Sequence, residues 1–377
     1  MKKYKIAVSA FFIAALAFLT IASMVNPVRE RSESENRSLA QMPKLSVESV
    51  FDGSFTKGYE DFVTDQFVWR DMWIQIKSST ERLMGKTLSN GVYFADDNYF
   101  IEHKSDADID EELFERNIGF LKEFVDNMSV QTEGKVLVSI APTASVVHAD
   151  KLPVFNDEFD WNASLDSISA LLGESFVDLR KILDTHKDEY IFYRTDHHWT
   201  TDGAYYAYSE LIKEFEFEPL GKESFERSVI SEDFLGTVIA KLNISTQPDV
   251  MVKYEPLNPT LTSAKYNLGT KMTETLYDES MLDTRDKYAY FLGGNDGLIE
   301  IDTTLDNGRV LLIAKDSYAN CLIPFLTSHF EKIYVVDLRY FNPKVVQYAK
   351  GLGNVTDALV LYNVSGFAAD RYVHKLS

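Results

Sequence analysis

A chain of 377 residues with 45% hydrophobic and 13% aromatic residues has room for a sizeable core and too much apolar content for a disordered protein. Its formal net charge of −20 repels phosphate backbones, which excludes nucleic acid as a partner, and a strongly polyanionic substrate would need a local basic pocket. Cys321 is the only cysteine, so no intrachain disulfide forms, and it reads as a small buried apolar residue.

Met1 to Lys5 holds three lysines, and Ile6 to Val25 runs without a charge. As a helix this run spans about 30 Å, the thickness of a bilayer core. No small-X-small cleavage site follows it, which favours an uncleaved signal anchor over a signal peptide. Residues 1–5 are then a cytoplasmic tail, 6–25 a transmembrane helix, and the chain from about residue 27 lies outside the cell membrane by the positive-inside rule. Residues 26–89 read as a polar juxtamembrane tether, broken by Pro27 and Pro43, followed by a helical segment from Ser49 to Met84. Gly91 to Phe94 and Tyr99 to Ile101 flank an Asp-Asp-Asn turn as a hairpin, and Ile109 to Val130 is an amphipathic helix.

Short apolar runs then recur: Val136–Ile140, Phe176–Leu179, Val310–Ala314, Ile333–Val336 and Ala358–Tyr362. Helical patterns lie between several of them, at Ser164–Leu172, Tyr205–Phe215, Tyr318–Phe330 and Pro343–Lys350. Strands buried on both faces and alternating with helices predict an α/β fold, an open mostly parallel sheet flanked by helices. Sites in such sheets gather at the C-terminal ends of strands. The stretch from about 224 to 306, with Pro248, Pro256 and Pro259, reads as an irregular insertion in a domain covering 90–377. No internal repeat is present.

The stretch Arg194-Thr195-Asp196-His197-His198-Trp199 places a carboxylate, two imidazoles and an indole in succession, just before a helix that Thr200 or Thr201 can cap. Asp196 and His198 are two apart, so in an extended or turn conformation they emerge on one side while His197 points away. A carboxylate beside an imidazole fixes its tautomer and raises its basicity, which suits a general base for a hydroxyl nucleophile. Val310–Ala314 leads into Lys315-Asp316-Ser317-Tyr318, which puts Ser317 where a strand hands over to a helix; there its own amide can serve an oxyanion. A plain capping serine is the alternative. Neighbouring imidazoles and carboxylates also bind zinc, but His103, His148, His186, His329 and His374 form no ligand-spaced set, so no metal and no cofactor are expected. Trp199, Tyr205, Tyr206 and Tyr208 form either a sugar-stacking platform or, as helices more often do, a core face. His148 follows a strand end and reads as a surface or core histidine.

Val136 to Pro153, Phe176 to Arg180, Tyr193 to Trp199 with Gly203-Ala204, and the Asp316-Ser317-Tyr318 block together resemble the DHHW proteins of bacteria. These in turn are similar to the SGNH-hydrolase-like proteins that O-acetylate alginate. The resemblance implies Ser317 as nucleophile, His198 as general base and Asp196 as its orienter, with His197 on the variable middle position. Lys315 stands where the acetylation proteins have glycine, bringing a cation toward the oxyanion. Gly294 and Asn295 are further oxyanion candidates, with an ordinary Gly-Asn turn as the alternative, and Trp199 is a substrate candidate. The implied function is a membrane-anchored, extracytoplasmic serine O-acyltransferase, an O-acetyltransferase acting on a cell-surface polysaccharide. Its acyl donor would be delivered by a membrane-bound O-acyltransferase. The same triad with water as acceptor is an esterase, and a non-catalytic envelope scaffold is the reading from another class.

Overall fold

A computed structural model describes residues 2–32, 35 and 37–377. Met1 of the expected tail and Glu33, Ser34 and Asn36 of the expected tether lie outside the described residues. The chain forms two compact units, one of residues 1–90 with 239–246 and one of residues 91–238 with 247–377.

In the first unit, helix α1 (Lys2–Val25) contains one stretch, Lys3–Val25, long and apolar enough to cross a membrane. The helical segment resolves into Val47–Phe51, Ser54–Asp65 and Arg70–Leu83. The polar tether is pinned to these helices by ion pairs: Arg37 to Asp65 at 2.5 Å, Arg70 to Glu35 at 2.7 Å and Arg29 to Asp71 at 3.0 Å.

The second unit is built on a seven-stranded sheet. Its strands are β1 (Val136–Ala141), β2 (Leu261–Tyr266), β3 (Lys271–Thr273), β4 (Leu298–Thr303), β5 (Val310–Lys315), β6 (Lys332–Val336) and β7 (Asp357–Asn363). They lie in the order β3-β2-β4-β6-β5-β7-β1. The pairs β6/β5, β5/β7 and β7/β1 are parallel, whereas β4/β6, β4/β2 and β3/β2 are antiparallel. The sheet is therefore mixed rather than mostly parallel. The difference comes from the stretch 224–306, which supplies β2, β3 and β4 to the sheet. It also forms a hairpin of Phe225–Phe234 with Asp249–Pro256. Prolines and polar residues between these strands hide their pattern.

Two other elements differ from expectation. Phe176–Leu179 makes only a single parallel bridge, Phe176 to Val138, in place of a strand. Tyr318–Phe330 is not one helix but a tight turn, Ser317–Ala319, followed by a short helix, Ile323–Leu326. Pro324 lacks an N–H and is tolerated only in a first turn, so a helix starts there instead of running through.

Every residue of β1, β5 and β7 is buried. Alternate residues (Val136, Val138, Ile140; Leu312, Ala314; Ala358, Val360, Tyr362) join one core with two flanking helices. Helix α2 (Glu111–Gln131), capped by Asp110, contributes Phe114, Leu121, Phe124 and Met128, and helix α3 (Trp161–Leu172), capped by Asp160, contributes Leu165 and Ile168. Burying a side chain of this size is worth roughly 1.5–3 kcal/mol. This packing makes the C-terminal ends of β5 and β7 a rigid platform.

Candidate active site

Residues 191–200 form a tight reversal. Phe192 bridges Trp199, the Thr200 amide donates to the Ile191 carbonyl at 2.9 Å, and the Tyr193 amide donates to the His198 carbonyl. The turn is held from below by Asp249, which accepts from the amides of Arg194 (3.0 Å) and Thr195 (2.8 Å) and from the hydroxyls of Thr195 (2.6 Å) and Tyr190 (2.5 Å). Thr200 caps helix α4 (Thr201–Glu214), its side chain accepting from the Gly203 amide. Gly203 is needed there because a Cβ would lie 2.3 Å from the Ile191 carbonyl oxygen.

At the tip of this turn the His198 Nδ1 lies 2.5 Å from Asp196 Oδ1, and its Nε2 lies 2.8 Å from Ser317 Oγ. Because Asp196 is acceptor-only when ionised, Nδ1 carries the proton and Nε2 accepts from the serine hydroxyl. The other carboxylate oxygen accepts from the Thr237 amide (2.7 Å) and the Thr237 hydroxyl (3.0 Å). Gly236 makes this approach possible, since a Cβ there would sit 2.2 Å from that of Asp196. Burial pushes Asp196 upward, but the two imidazoles and these hydrogen bonds outweigh it and hold the carboxyl far below its ordinary range. Burial, helped by His197, pushes His198 down to about 4 against the pull of Asp196. The imidazole is therefore neutral at ordinary pH and free to take a proton.

The His198 ring is clamped on both faces. Tyr288 stacks on it at 3.8 Å with an interplanar angle of 13°, and His197 lies against it at 3.9 Å. The Tyr288 hydroxyl also reaches the Ser317 carbonyl at 3.3 Å. Ser317 opens the turn after β5, with Asp316 capping it: Asp316 Oδ1 accepts from the Tyr318 amide at 2.9 Å. Asp316 Oδ2 accepts from the amide and side chain of Asn363, the last residue of β7. Burial pushes Asp316 up to about 6. As the first residue of its turn, Ser317 has an amide with no carbonyl partner within that turn. Ser317 faces an open cleft of about 390 Å³, lined also by His197, Asp316, Arg339, Asn363 and Gly366.

The structure thus brings Asp196, His198 and Ser317 together. It does not bring Trp199 to the cleft: the indole is fully buried and donates to the Tyr318 carbonyl at 2.8 Å. Lys315 is also fully buried, turned away into the junction between its strand and the Gly294-Asn295 loop. Its Nζ donates to Asn320 Oδ1 (2.7 Å) and Asn295 Oδ1 (3.0 Å) and lies 3.7 Å from Asp337. Burial pushes Lys315 down to about 8. The Gly294 carbonyl and the Asn295 side-chain oxygen accept from Asn320, so both belong to the same junction. Tyr205, Tyr206 and Tyr208 are buried on α4, as a core face. His148 is buried among Tyr99 and Phe192, and neither ring nitrogen has a hydrogen-bond partner among the described residues. Burial pushes the Cys321 thiol up to about 12, which leaves it inert.

Asp196, His197 and His198 hold ligating atoms within 4.8 Å of one another. Both nitrogens of His198 and Nδ1 of His197 are engaged in hydrogen bonds, to Asp196, Ser317 and Thr237. Sequence reasoning missed Thr237, Gly236, Asp249 and Tyr288, which carry no motif; Asn363 could have been found as the residue ending a buried strand.

Fold and site define a mixed α/β protein with a hydroxyl, an imidazole and a carboxylate in one hydrogen-bonded chain at the C-terminal end of parallel strands. The family model described as "DHHW protein" matches residues 167–336 of the chain. The crystal structure of a DHHW family protein from Eubacterium siraeum DSM 15702 superposes with a TM-score of 0.64 at 26% identity, covering 76% of this chain and 95% of that one. PatB1 of Bacillus cereus, solved with a sulfonyl adduct, has a TM-score of 0.61 at 20% identity over 76% of this chain and 98% of its own, a likeness of fold. The O-acetyltransferase domain of Pseudomonas putida AlgJ reaches a TM-score of 0.46 at 14% identity over 74% of this chain and 93% of its own. No curated protein matches the sequence.

Proposed function

We propose that this protein is a serine O-acyltransferase, an O-acetyltransferase anchored in the cell membrane by its N-terminal helix and acting outside it on a cell-surface polysaccharide. The observation that carries the reading is the continuous chain from Asp196 through His198 to Ser317, at 2.5 and 2.8 Å, opening into a solvent-accessible cleft. Ser317 Oγ attacks the acyl carbonyl of the donor while its proton passes to His198 Nε2. The acyl bond to the leaving group breaks, and the leaving group takes that proton. An acceptor sugar hydroxyl then attacks the acyl-serine, gives its proton to His198, and the same proton returns to Ser317 Oγ as the ester to serine breaks. The Ser317 amide serves the oxyanion at both stages. In this reading the donor is handed over by a membrane-bound O-acyltransferase, since acyl donors are made inside the cell.

The test uses the full-length chain in membranes with a sulfonyl fluoride probe and an activated acetyl ester. Ser317→Ala should abolish both labelling and acyl release, a loss of several orders of magnitude because nucleophile and base act as a unit. Labelling that persists in Ser317→Ala places the nucleophile elsewhere. Deleting the gene separates transfer from hydrolysis: surface O-acetylation falls if the protein is a transferase and rises if it is an esterase.

A further inference from the structure

His197 has no place in the acyl-transfer chain just described, yet the fold orients it through one ring nitrogen and its backbone carbonyl. Its Nδ1 lies 2.9 Å from the Thr237 hydroxyl, and that hydroxyl donates its only proton to Asp196 Oδ2 at 3.0 Å. A hydroxyl that has spent its proton can only accept, so His197 Nδ1 must carry N–H, and the neutral form of the ring then has its lone pair on Nε2. The backbone is fixed as well, the Tyr318 hydroxyl donating to the His197 carbonyl at 2.8 Å. The ring packs at 3.9 Å on His198 with a tilt of 36°. Unlike His198, whose side chain is 6% exposed, His197 is 31% exposed and lines the cleft that Ser317 opens into. The ring is thus presented beside the general base with Nδ1 committed to Thr237 and no protein partner for Nε2 among the described residues.

Resting on the acyltransferase reading, we propose that His197 recognises the acceptor: its Nε2 accepts a hydrogen bond from the hydroxyl adjacent to the one being acylated, so that the acceptor is a vicinal diol of a sugar ring. The two imidazole centroids, 3.9 Å apart at a tilt of 36°, are on the scale of two neighbouring ring hydroxyls. One hydroxyl gives its proton to His198 Nε2 during transfer, and the other donates to His197 Nε2 without transferring anything. The tautomer sets the specificity, because a lone pair demands a donor. A methyl ether, a deoxy carbon or an already acylated oxygen at the adjacent position leaves Nε2 unpaired, and a site built for a hydroxyl discriminates against a ligand that lacks it. The same feature limits modification to one acyl group per diol. Holding the ring before substrate arrives lowers the ordering cost of binding.

The experiment uses the full-length protein in detergent, 4-nitrophenyl acetate as donor and three acceptors: a methyl pyranoside with a free diol, its monodeoxy analogue and its mono-O-methyl ether. Nitrophenolate release reports acyl-serine formation, and mass spectrometry reports how acetyl divides between sugar and water. The wild type should prefer the diol over both analogues by about tenfold, the worth of one neutral hydrogen bond. His197→Asn keeps a donor toward Thr237 but has nothing at the Nε2 position, and should reduce that preference to about twofold or less, in proportion to the lost bond. His197→Gln places an amide at the Nε2 position and should restore part of it. Because each preference is a ratio within one variant, a general loss of activity does not imitate it. Equal use of all three acceptors by the wild type, or an undiminished preference in His197→Asn, overturns the proposal. If the wild type forms no acyl-serine, or passes acetyl only to water, the acyltransferase reading itself fails and takes this inference with it.

Discussion

Replacing Asp196 with asparagine keeps size and shape but should remove almost all acyl-serine formation, for a reason visible in the hydrogen bonds. Asp196 Oδ2 receives two donors, the Thr237 amide at 2.7 Å and the Thr237 hydroxyl at 3.0 Å. An asparagine must therefore turn its carbonyl oxygen toward Thr237, which leaves its NH₂ facing His198. There it meets the His198 amide, now 3.1 Å from Oδ1, as donor against donor, and it donates to Nδ1. Nδ1 becomes the acceptor, so the ring proton moves to Nε2, the nitrogen 2.8 Å from Ser317 Oγ. A protonated Nε2 cannot take the serine proton. A wrong tautomer of this kind costs about four orders of magnitude, or ~5.5 kcal/mol of activation free energy. The assay is single-turnover release from an activated acetyl ester, with thermal unfolding run alongside to show that the variant is folded. A folded Asp196→Asn variant within tenfold of the wild-type rate refutes the assignment of Asp196 as the orienter.

Three further outcomes follow from the packing and the charges. Gly236→Ala should displace the Asp196 carboxylate, whose Cβ would be 2.2 Å from the new methyl, costing about 1–3 kcal/mol and most of the acylation rate; thermal melts and the same ester assay measure both. Lys315→Met should lower the urea midpoint by the equivalent of about 3 kcal/mol, since Asn320, Asn295 and Asp337 lose a buried cation, and an unchanged midpoint would show the ammonium to be dispensable. With His198 at about 4 instead of its ordinary 6.5, acylation should rise with pH through about 4 and then level, because only the neutral ring accepts the serine proton. Its stability contribution has the same sign: the unfolded ring binds a proton below about 6.5 and the native ring does not until about 4, so stability is full above 6.5 and falls as pH drops through that window. An acid limb near 6.5 would contradict the burial of this imidazole.

The parallel half of the sheet was legible because its strands are buried on both faces. Val310–Ala314 and Ala358–Tyr362 show this as unbroken apolar runs, and β5 and β7 extend each by one polar residue at the end where the site lies. The antiparallel half was not, because β2 and β3 present residues such as Thr262, Lys265 and Lys271 toward solvent and are too short for alternation to stand out. The broken helix after Ser317 was misjudged for a related reason: Tyr318 to Phe330 has helical spacing of apolar residues, but all of Ile323 to Leu326 is buried, and a segment buried on every side carries no amphipathic stripe to read.

At the candidate site, the groups proposed to react have residue types that show in the sequence and their supports do not, and this follows from how each would do its work. The proposed nucleophile, base and orienter need particular functional groups, so Ser317, His198 and Asp196 stand out by residue type and by position at turns. A supporting residue needs only a backbone amide or a hydroxyl at the right place. Thr237 and Asp249 reach residues 194–196 from 41 and more positions away, through contacts that exist only after the hairpin has folded against the turn. His197 is placed in the same way, by contacts remote in sequence. Spacing alone turns it away from Asp196 and His198, yet the tight turn and the Thr237 hydroxyl bring it back against the His198 ring. Its hydrogen bond to the Thr237 hydroxyl, which itself donates to Asp196, puts a ring proton on His197 Nδ1 and leaves Nε2 without a protein partner among the described residues. On the proposed reading, a turn that places one imidazole against Ser317 for chemistry thereby also places the next beside it for recognition.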